Sequence, residues 1–257
     1  MTNVMMERMS WPEFRDALKS NPTVFLPCGA TEQHGPHLPL SVDCLLPSAL
    51  CRDVATEVGG VVAPTLSFGY KSMPKSGGGP HFPGTLNLDA TTLIAMVRDV
   101  IRELVRHGVR KICCVVGHYE NQWIVTEGID LAMRECGHTG LKVMRLEYWD
   151  FCTQDTLDKV FPDGFPGVAL EHAAVMETSM MMHYYPDMVR LELIPDNPPA
   201  DFPPYDIWPP HRDWVPSSGA LTSAKGASAA KGKAMIDQYC RDIAAAVNKE
   251  FGQGGVG

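Results

Sequence analysis

The order of hydrophobic patterns along the chain constrains its fold more than any other feature of the sequence. Short apolar runs alternate with longer amphipathic stretches, and the connections between them are mostly short. This alternation is typical of βαβ units, which build a mostly parallel sheet with helices on both faces. The sequence therefore predicts an α/β fold with a parallel central sheet.

Individual segments follow from the same pattern. Strands are predicted at 23–27, 61–66, 111–116 and 141–149. Pro64 places the second strand at an edge or ends it early, because proline lacks the N–H that a ladder needs. Helices are predicted at 43–58, 91–107, 121–136, 170–185 and about 222–251. The proline-rich segment 195–218 is predicted to be irregular, either as a surface wrap or as an arm over a neighbouring subunit or a site mouth.

Composition and charge exclude several functional classes. The 257 residues carry a net charge of −8 and no run of Lys or Arg, so we expect neither a nucleic-acid nor a membrane partner. The N-terminal stretch is not apolar enough for a signal peptide, and no segment approaches the roughly 18 apolar residues of a membrane span. We therefore expect a cytoplasmic protein.

The cysteines support the same compartment. There are eight of them, and none forms a C-x-x-C pair. Cys113 and Cys114 are adjacent in a predicted strand, so their side chains should point to opposite faces of the sheet. We expect reduced and mostly buried thiols rather than disulfides or a zinc site.

Polar groups follow the first predicted strand, in the stretch CGATEQHGPHLPLSVD at 28–43. Ligands of open α/β sheets bind outside the carboxyl ends of the strands, where this loop should lie. Glu32 and His34 are two residues apart, so in an extended segment both side chains point toward one ion. Asp43 stands at the start of the next helix, and its two oxygens could bridge two cations. A polar turn with a capping aspartate explains the loop alone about equally well.

The stretch GHYEN at 117–121 repeats this arrangement after the third strand. His118 and Glu120 again have the spacing of an imidazole and a carboxylate that share one direction. A buried histidine followed by a capping Asn121 is the alternative. Taken together, the two loops supply two imidazoles and three carboxylates, a set that suits two zinc or manganese ions with positions left for water. Two such ions would lower the pKa of a bridging water, which favours amide hydrolysis.

Amide hydrolysis also needs a proton donor for the departing nitrogen. His172 stands at the entrance of the predicted helix 170–185, and Glu177 follows five residues later. A carboxylate beside an imidazole raises the pKa of the ring and fixes its tautomer. We therefore take His172 as the acid/base and Glu177 as its partner. A histidine at a helix entrance and a solvated glutamate form the alternative.

Several strings make the chain resemble the creatininase (creatinine amidohydrolase) family along nearly its whole length. They are GATEQHG (29–35), VDCLLP (42–47), FGYKSMPKSGGGPHFPGT (68–85), IRELVRHGVR (101–110), GHYEN (117–121), YWDF (148–151), EHAAVMETS (171–179) and PPADFPPYD (198–206). The resemblance implies one domain over residues 1–257, a three-layer α/β sandwich, a homohexamer and a binuclear site with Zn, Mn or a similar pair.

The same resemblance implies roles for individual residues. Glu32 and His118 would hold one ion, His34 and Glu120 the other, and Asp43 would bridge them. Ser76, Tyr119 and Trp149 would contact a small amide substrate. His172 would be the acid/base, oriented by Glu177.

One departure from the family pattern concerns specificity. In creatininases a Trp-Asp pair precedes the Glu-His dipeptide, whereas Val168 and Ala169 stand at these positions here. An indole wall worth about 1–3 kcal/mol of stacking is thereby replaced by small aliphatic groups. The single substrate that the sequence favours most is creatinine, which would be opened to creatine. A different lactam or cyclic imide, a linear formamide, or a metal-binding paralogue without catalysis are the alternatives.

Overall fold

A computed structural model describes residues 3–137 and 140–252. Within these ranges one parallel sheet has the strand order β2-β1-β3-β4. The strands are β1 (Thr23–Cys28), β2 (Val61–Val62), β3 (Lys111–Val116) and β4 (Lys142–Glu147). The helices are α1 (Trp11–Ala17), α2 (Val42–Val58), α3 (Pro74–Gly77), α4 (Ala90–Arg106), α5 (Asn121–Cys136), α6 (Gln154–Val160), α7 (Val175–Tyr184) and α8 (Ala229–Phe251).

The sheet separates two hydrophobic clusters. On one face, Phe25 and Cys113 pack with apolar side chains of α2, α7 and α8. On the other face, Leu26 and Cys114 pack with side chains of α4 and α5. Alternate side chains of a strand point to opposite faces, so each buried strand contributes to both clusters. The predicted three-layer α/β sandwich is confirmed, and the two adjacent cysteines face opposite layers.

Two predicted strands are longer than the observed ones. The strand expected at 61–66 ends at Val62, and β2 is an edge strand, in keeping with the missing N–H of Pro64. The strand expected at 141–149 covers only Lys142–Glu147, and the chain then turns into a short 3₁₀ helix, Tyr148–Phe151. By contrast, β1, β3, α2 and α5 match their predicted bounds within one residue.

Two predicted helices begin later than expected. Helix α7 begins at Val175 rather than 170, because Ala173 has φ of 56°, a left-handed conformation that interrupts helical hydrogen bonding. Helix α8 begins at Ala229 rather than near 222. Its N-cap is Ser228, whose side chain accepts the N–H of Lys231. Residues 222–228 therefore form an irregular connection.

The proline-rich segment 195–218 contains one short 3₁₀ helix, Arg212–Trp214, and is otherwise irregular, as predicted. Shortly after this segment the chain reaches the residues that precede α7, where Leu221 donates its N–H to the carbonyl of His172. Across the described parts of the chain, no helix has the length and hydrophobicity needed to span a bilayer.

Two glycines at strand ends determine where α2 begins. Gly29 follows β1 and Gly117 follows β3, and these two strands are neighbours in the sheet. A Cβ built on Gly29 would lie 2.3 Å from the carbonyl oxygen of Asp43, and one on Gly117 would lie 2.4 Å from it. Only glycine allows the backbone to approach this closely. The first turn of α2 therefore rests against the ends of both central strands.

We predict that the native protein shows at most four reactive thiols. Cys28, Cys51, Cys113 and Cys114 are buried, and burial raises the pKa of the Cys51 and Cys113 thiols, which suppresses the reactive thiolate. Titration with a disulfide reagent should count at most four thiols in buffer. In guanidinium without reductant it should count all eight. Fewer than eight in the unfolded, unreduced chain would show a disulfide and contradict the structure.

Candidate metal centre

The two polar loops leave the sheet at one edge. Cys28 at the end of β1 pairs in register with Val116 at the end of β3. The loop after β1 carries Glu32 and His34, and the loop after β3 carries His118. All three side chains are buried. The expected convergence at the carboxyl ends of the central strands is therefore observed.

Asp43 lies between the two imidazoles. Its Oδ1 is 3.1 Å from Nε2 of His34, and its Oδ2 is 3.1 Å from Nδ1 of His118. Each carboxylate oxygen thus faces a different histidine from a different loop. This is the geometry that a carboxylate shared by two cations requires.

Around Asp43 the side chains form two sets of potential metal donors. Glu32, Asp43 and His118 make one set, and His34, Asp43 and Glu177 make the other. Within each set the donor atoms lie within 4.8 Å of one another. A third combination, Glu32 with His34 and His172, brings the predicted acid/base to the same place.

This partition differs from the predicted one at Glu120. The family resemblance implies that Glu120 shares an ion with His34, but the structure pairs His34 with Glu177, whose Oε1 is 3.6 Å from Nε2 of His34. Glu120 instead lies beside His118, with Oε2 at 3.3 Å from Nε2 of that ring. Its other oxygen accepts hydrogen bonds from Ser76 Oγ at 2.6 Å and the Met73 N–H at 2.7 Å. The role of Glu120 as a ligand stays a prediction.

The charges of this cluster fit divalent cations. Within the described ranges, the only cationic side chains within 4 Å of the carboxylates of this cluster are imidazoles; these carboxylates are Glu32, Asp43, Glu120 and Glu177. Oε1 of Glu32, Nε2 of His34 and Oε2 of Glu120 are buried without a hydrogen-bond partner. Burying carboxylates in this way is costly unless a cation compensates them. Two imidazoles and several carboxylates are suitable ligands for zinc or manganese.

The raised pKa values of two histidines also show that this cluster favours positive charge. Burial disfavours the protonated ring of His118, but Glu32 and Glu120 outweigh it and raise the pKa well above its usual value. Burial opposes protonation of His34 too, and Asp43 and Glu177 overcome it, so its pKa is also raised. These two rings attract protons strongly where no metal ion competes.

His172 differs from the other two rings. Burial, and then the nearby charge of His34, lower its pKa well below the usual value, so the ring is neutral. Its Nε2 lies 2.9 Å from the side-chain nitrogen of Gln33. The expected contact with Glu177 is not among the hydrogen bonds of the described residues, because Glu177 turns to His34 and to the N–H of Ala173. The late start of α7 leaves His172 outside the helix that carries Glu177.

A cavity opens beside the cluster and contains most of the predicted substrate contacts. Tyr119 and Trp149 stack with their ring centroids 6.1 Å apart and their planes at 22°. Ser76 and Val168 line the same cavity. Ala169 is exposed on the same 3₁₀ turn and is not part of the lining, so its predicted substrate contact has no support in the geometry.

Sequence reasoning missed two residues of this site. Glu171 lines the cavity, and burial raises the pKa of its carboxyl to about 8. Gln33 holds His172, although it stands between the predicted ligands Glu32 and His34. In an extended segment alternate side chains point in opposite directions, so the side chain of Gln33 points away from those of Glu32 and His34. This alternation is the sequence signal that could have identified Gln33.

Comparison with known proteins agrees with this arrangement. The family model described as creatinine amidohydrolase matches residues 7–247. The chain belongs to the creatininase family. Creatinine amidohydrolase from Pseudomonas putida is 46% identical over 254 residues, which cover 97% of this chain and 98% of that protein.

Solved structures of relatives match the fold closely. A manganese form of creatininase superposes with a TM-score of 0.95 at 45% identity, covering 97% of this chain and 99% of that one. A creatininase variant of Zn-Zn type gives 0.95 at 44% identity, covering 98% and 99%. The recognised family and the predicted sandwich are thus confirmed.

We predict that zinc binding to chelator-treated protein releases at least one proton at pH 7. The raised pKa values keep His34 and His118 protonated below those values, and a metal ion must displace the protons to bind. Zinc affinity should therefore fall as the pH falls. Calorimetric titration in two buffers of different ionisation enthalpy measures the release. Identical heats in both buffers would contradict the protonated cluster.

Proposed function

We propose that this protein hydrolyses the C–N bond of a small cyclic amide, with creatinine, opened to creatine, as the substrate. The observation that carries the proposal is the position of Asp43 between two imidazoles, each in its own set of metal donors. The 46% identical relative is a creatinine amidohydrolase, which supports the choice of substrate.

We propose two divalent ions, zinc or manganese or one of each, as cofactors. Glu32 and His118 would bind one ion, and His34 and Glu177 would bind the other. Asp43 would bind both ions. Glu120 remains a further candidate ligand beside His118. Two bound cations supply a water of lowered pKa and polarise an amide carbonyl. Relatives in manganese and Zn-Zn forms support this choice of metals.

The remaining side chains provide binding and proton transfer. The faces of Tyr119 and Trp149 offer flat apolar surface to a planar ring. His172 is neutral and only 6% exposed, so it can hold a proton out of contact with bulk water and deliver it to the departing nitrogen. Hydrogen bonds from the Met73 N–H and from Ser76 Oγ, both partly buried, keep the Glu120 carboxylate oriented toward His118.

A second candidate is the hydrolysis of another lactam, cyclic imide or formamide. The observation that favours it is the small side chain of Val168 in the cavity wall, where creatininases have a larger aromatic one. A panel of creatinine, lactams, hydantoins and formamides, assayed with metal-loaded protein, separates these substrates. No turnover of any amide with two ions bound would favour a metal-binding paralogue without catalysis.

We also propose that the chain is a single domain that assembles as a homohexamer in the cytoplasm. Unpaired thiols support a reducing compartment. Large apolar side chains at the surface, such as Trp123 at 74% and Trp208 at 69% exposure, support burial against other copies. Light scattering of the purified protein measures the assembly, and a particle of fewer than six chains would refute the hexamer.

We predict that His118→Ala loses metal and nearly all turnover. The ring faces both Glu32 and Asp43, so its loss removes the only imidazole of one donor set. Metal content and creatinine turnover are measured on the same preparation. His107→Ala, an exposed residue at the end of α4, is the matched control and should change neither. Full metal content with full activity in His118→Ala would remove it from the site.

We predict that His172→Ala keeps its metals but slows turnover about 10²–10⁴-fold, because a positioned acid/base contributes that much to proton transfer. Metal analysis, melting temperature and kcat separate this effect from misfolding. An unchanged kcat would exclude His172 from the chemistry.

A further inference from the structure

We propose that Gln33 is a positioning residue, which fixes the orientation and tautomer of His172 by donating an N–H to Nε2 of that ring. The proposal rests on the proposed role of His172 in amide hydrolysis. It also makes Gly219, the residue that follows the proline-rich segment 195–218, part of the active site, because its carbonyl accepts an N–H from Gln33.

The orientation of the Gln33 amide is determined by backbone groups from three loops. Its Oε1 accepts the N–H of Gly35 at 2.9 Å. Its Nε2 carries two hydrogens, and one of them is donated to the carbonyl of Gly219 at 2.9 Å. The carbonyl of Gly77, at 3.3 Å, is a longer and weaker contact, so the second hydrogen is left for the ring of His172. The flipped amide would set its oxygen against two carbonyl oxygens and its NH₂ against an N–H. The NH₂ group therefore faces the ring of His172.

The tautomer follows from this orientation. Nε2 of His172 lies 2.9 Å from Nε2 of Gln33. An amide NH₂ can only donate, so the ring nitrogen that meets it must accept and carries no proton. An imidazole whose Nε2 carries no proton is neutral, and its one proton then lies on Nδ1. This leaves Nδ1–H as the donor that the ring can present to a substrate.

Two glycines make room for the amide. Gly219 and Gly78 both have φ of +81°, the left-handed conformation. A Cβ on Gly219 would lie 2.0 Å from Oε1 of Gln33, and one on Gly78 would lie 2.6 Å from its Nε2. Gln33 itself is 5% exposed. Such a closely enclosed amide holds the imidazole in one place, which is what a proton donor requires.

The first experiment compares Gly219→Ala with Gly226→Ala in the zinc-loaded protein. Gly226 has φ of +93°, and a Cβ there would meet no atom closer than Nζ of Lys231 at 4.0 Å. Both variants place an alanine at a left-handed φ, but only in Gly219→Ala would the added Cβ displace Gln33. We expect kcat to fall about 10–100-fold in Gly219→Ala with KM and metal content little changed, as for other residues that orient a catalytic ligand. Gly226→Ala should keep its kcat.

The second experiment observes the proton directly and needs no substrate. Neutron diffraction of zinc-loaded crystals in D₂O should show deuterium on Nδ1 of His172 and none on Nε2. In Gln33→Met, which keeps the length of the side chain but removes the donor, the ring should rotate or carry deuterium on Nε2. The kcat of this variant should fall as in Gly219→Ala.

Deuterium on Nε2 of His172 in the unmodified protein would overturn the proposal. So would equal kcat values for Gly219→Ala and Gly226→Ala in folded, metal-replete protein. If the unmodified protein turns over no amide, the proposed function fails, whereas the diffraction result still decides the role of Gln33. The two failures are therefore distinguishable.

Discussion

The structure of this site depends on the close seating of the first turn of α2 against the ends of β1 and β3. Gly29 and Gly117 have no Cβ, so the backbone of Asp43 can lie against both strands. The Asp43 carboxylate then reaches His34 from one loop and His118 from the other. One carboxylate thus joins two donor sets, and a larger residue at either glycine would push it out of reach.

This arrangement concentrates negative charge in a buried place, which costs stability unless cations compensate it. Where no cation is bound, protons on His34 and His118 compensate the negative charge, because the neighbouring carboxylates raise the pKa values of both rings. His172, a few ångströms away, responds in the opposite way and stays neutral. In the function proposed above, the two imidazoles that face carboxylates would bind metal ions, and the third, kept neutral by burial and by the charge of His34, would transfer protons. Gln33, whose amide is itself held by the Gly219 carbonyl, contacts the third ring with an uncharged group, which does not change that charge balance.

Much of this could be predicted from the chain alone, since periodicity identifies strands and helices, and polar residues at strand ends converge in a parallel sheet. Glu32, His34, Asp43 and His118 were found in this way. The partners of His34 and His172 were not predictable, because the left-handed Ala173 delays α7 and redirects Glu177 to His34. Contacts between distant segments were not predictable either: Gln33 contacts Gly219, which lies 186 positions later in the sequence.

We propose above that two ions share Asp43. Crystals of the zinc-loaded protein, measured at the zinc absorption edge, test it most directly through anomalous difference maps. We expect two peaks about 3.5–4 Å apart, one on each side of the Asp43 carboxylate, as in other two-metal sites. A single peak, or peaks that do not contact Asp43, would contradict it.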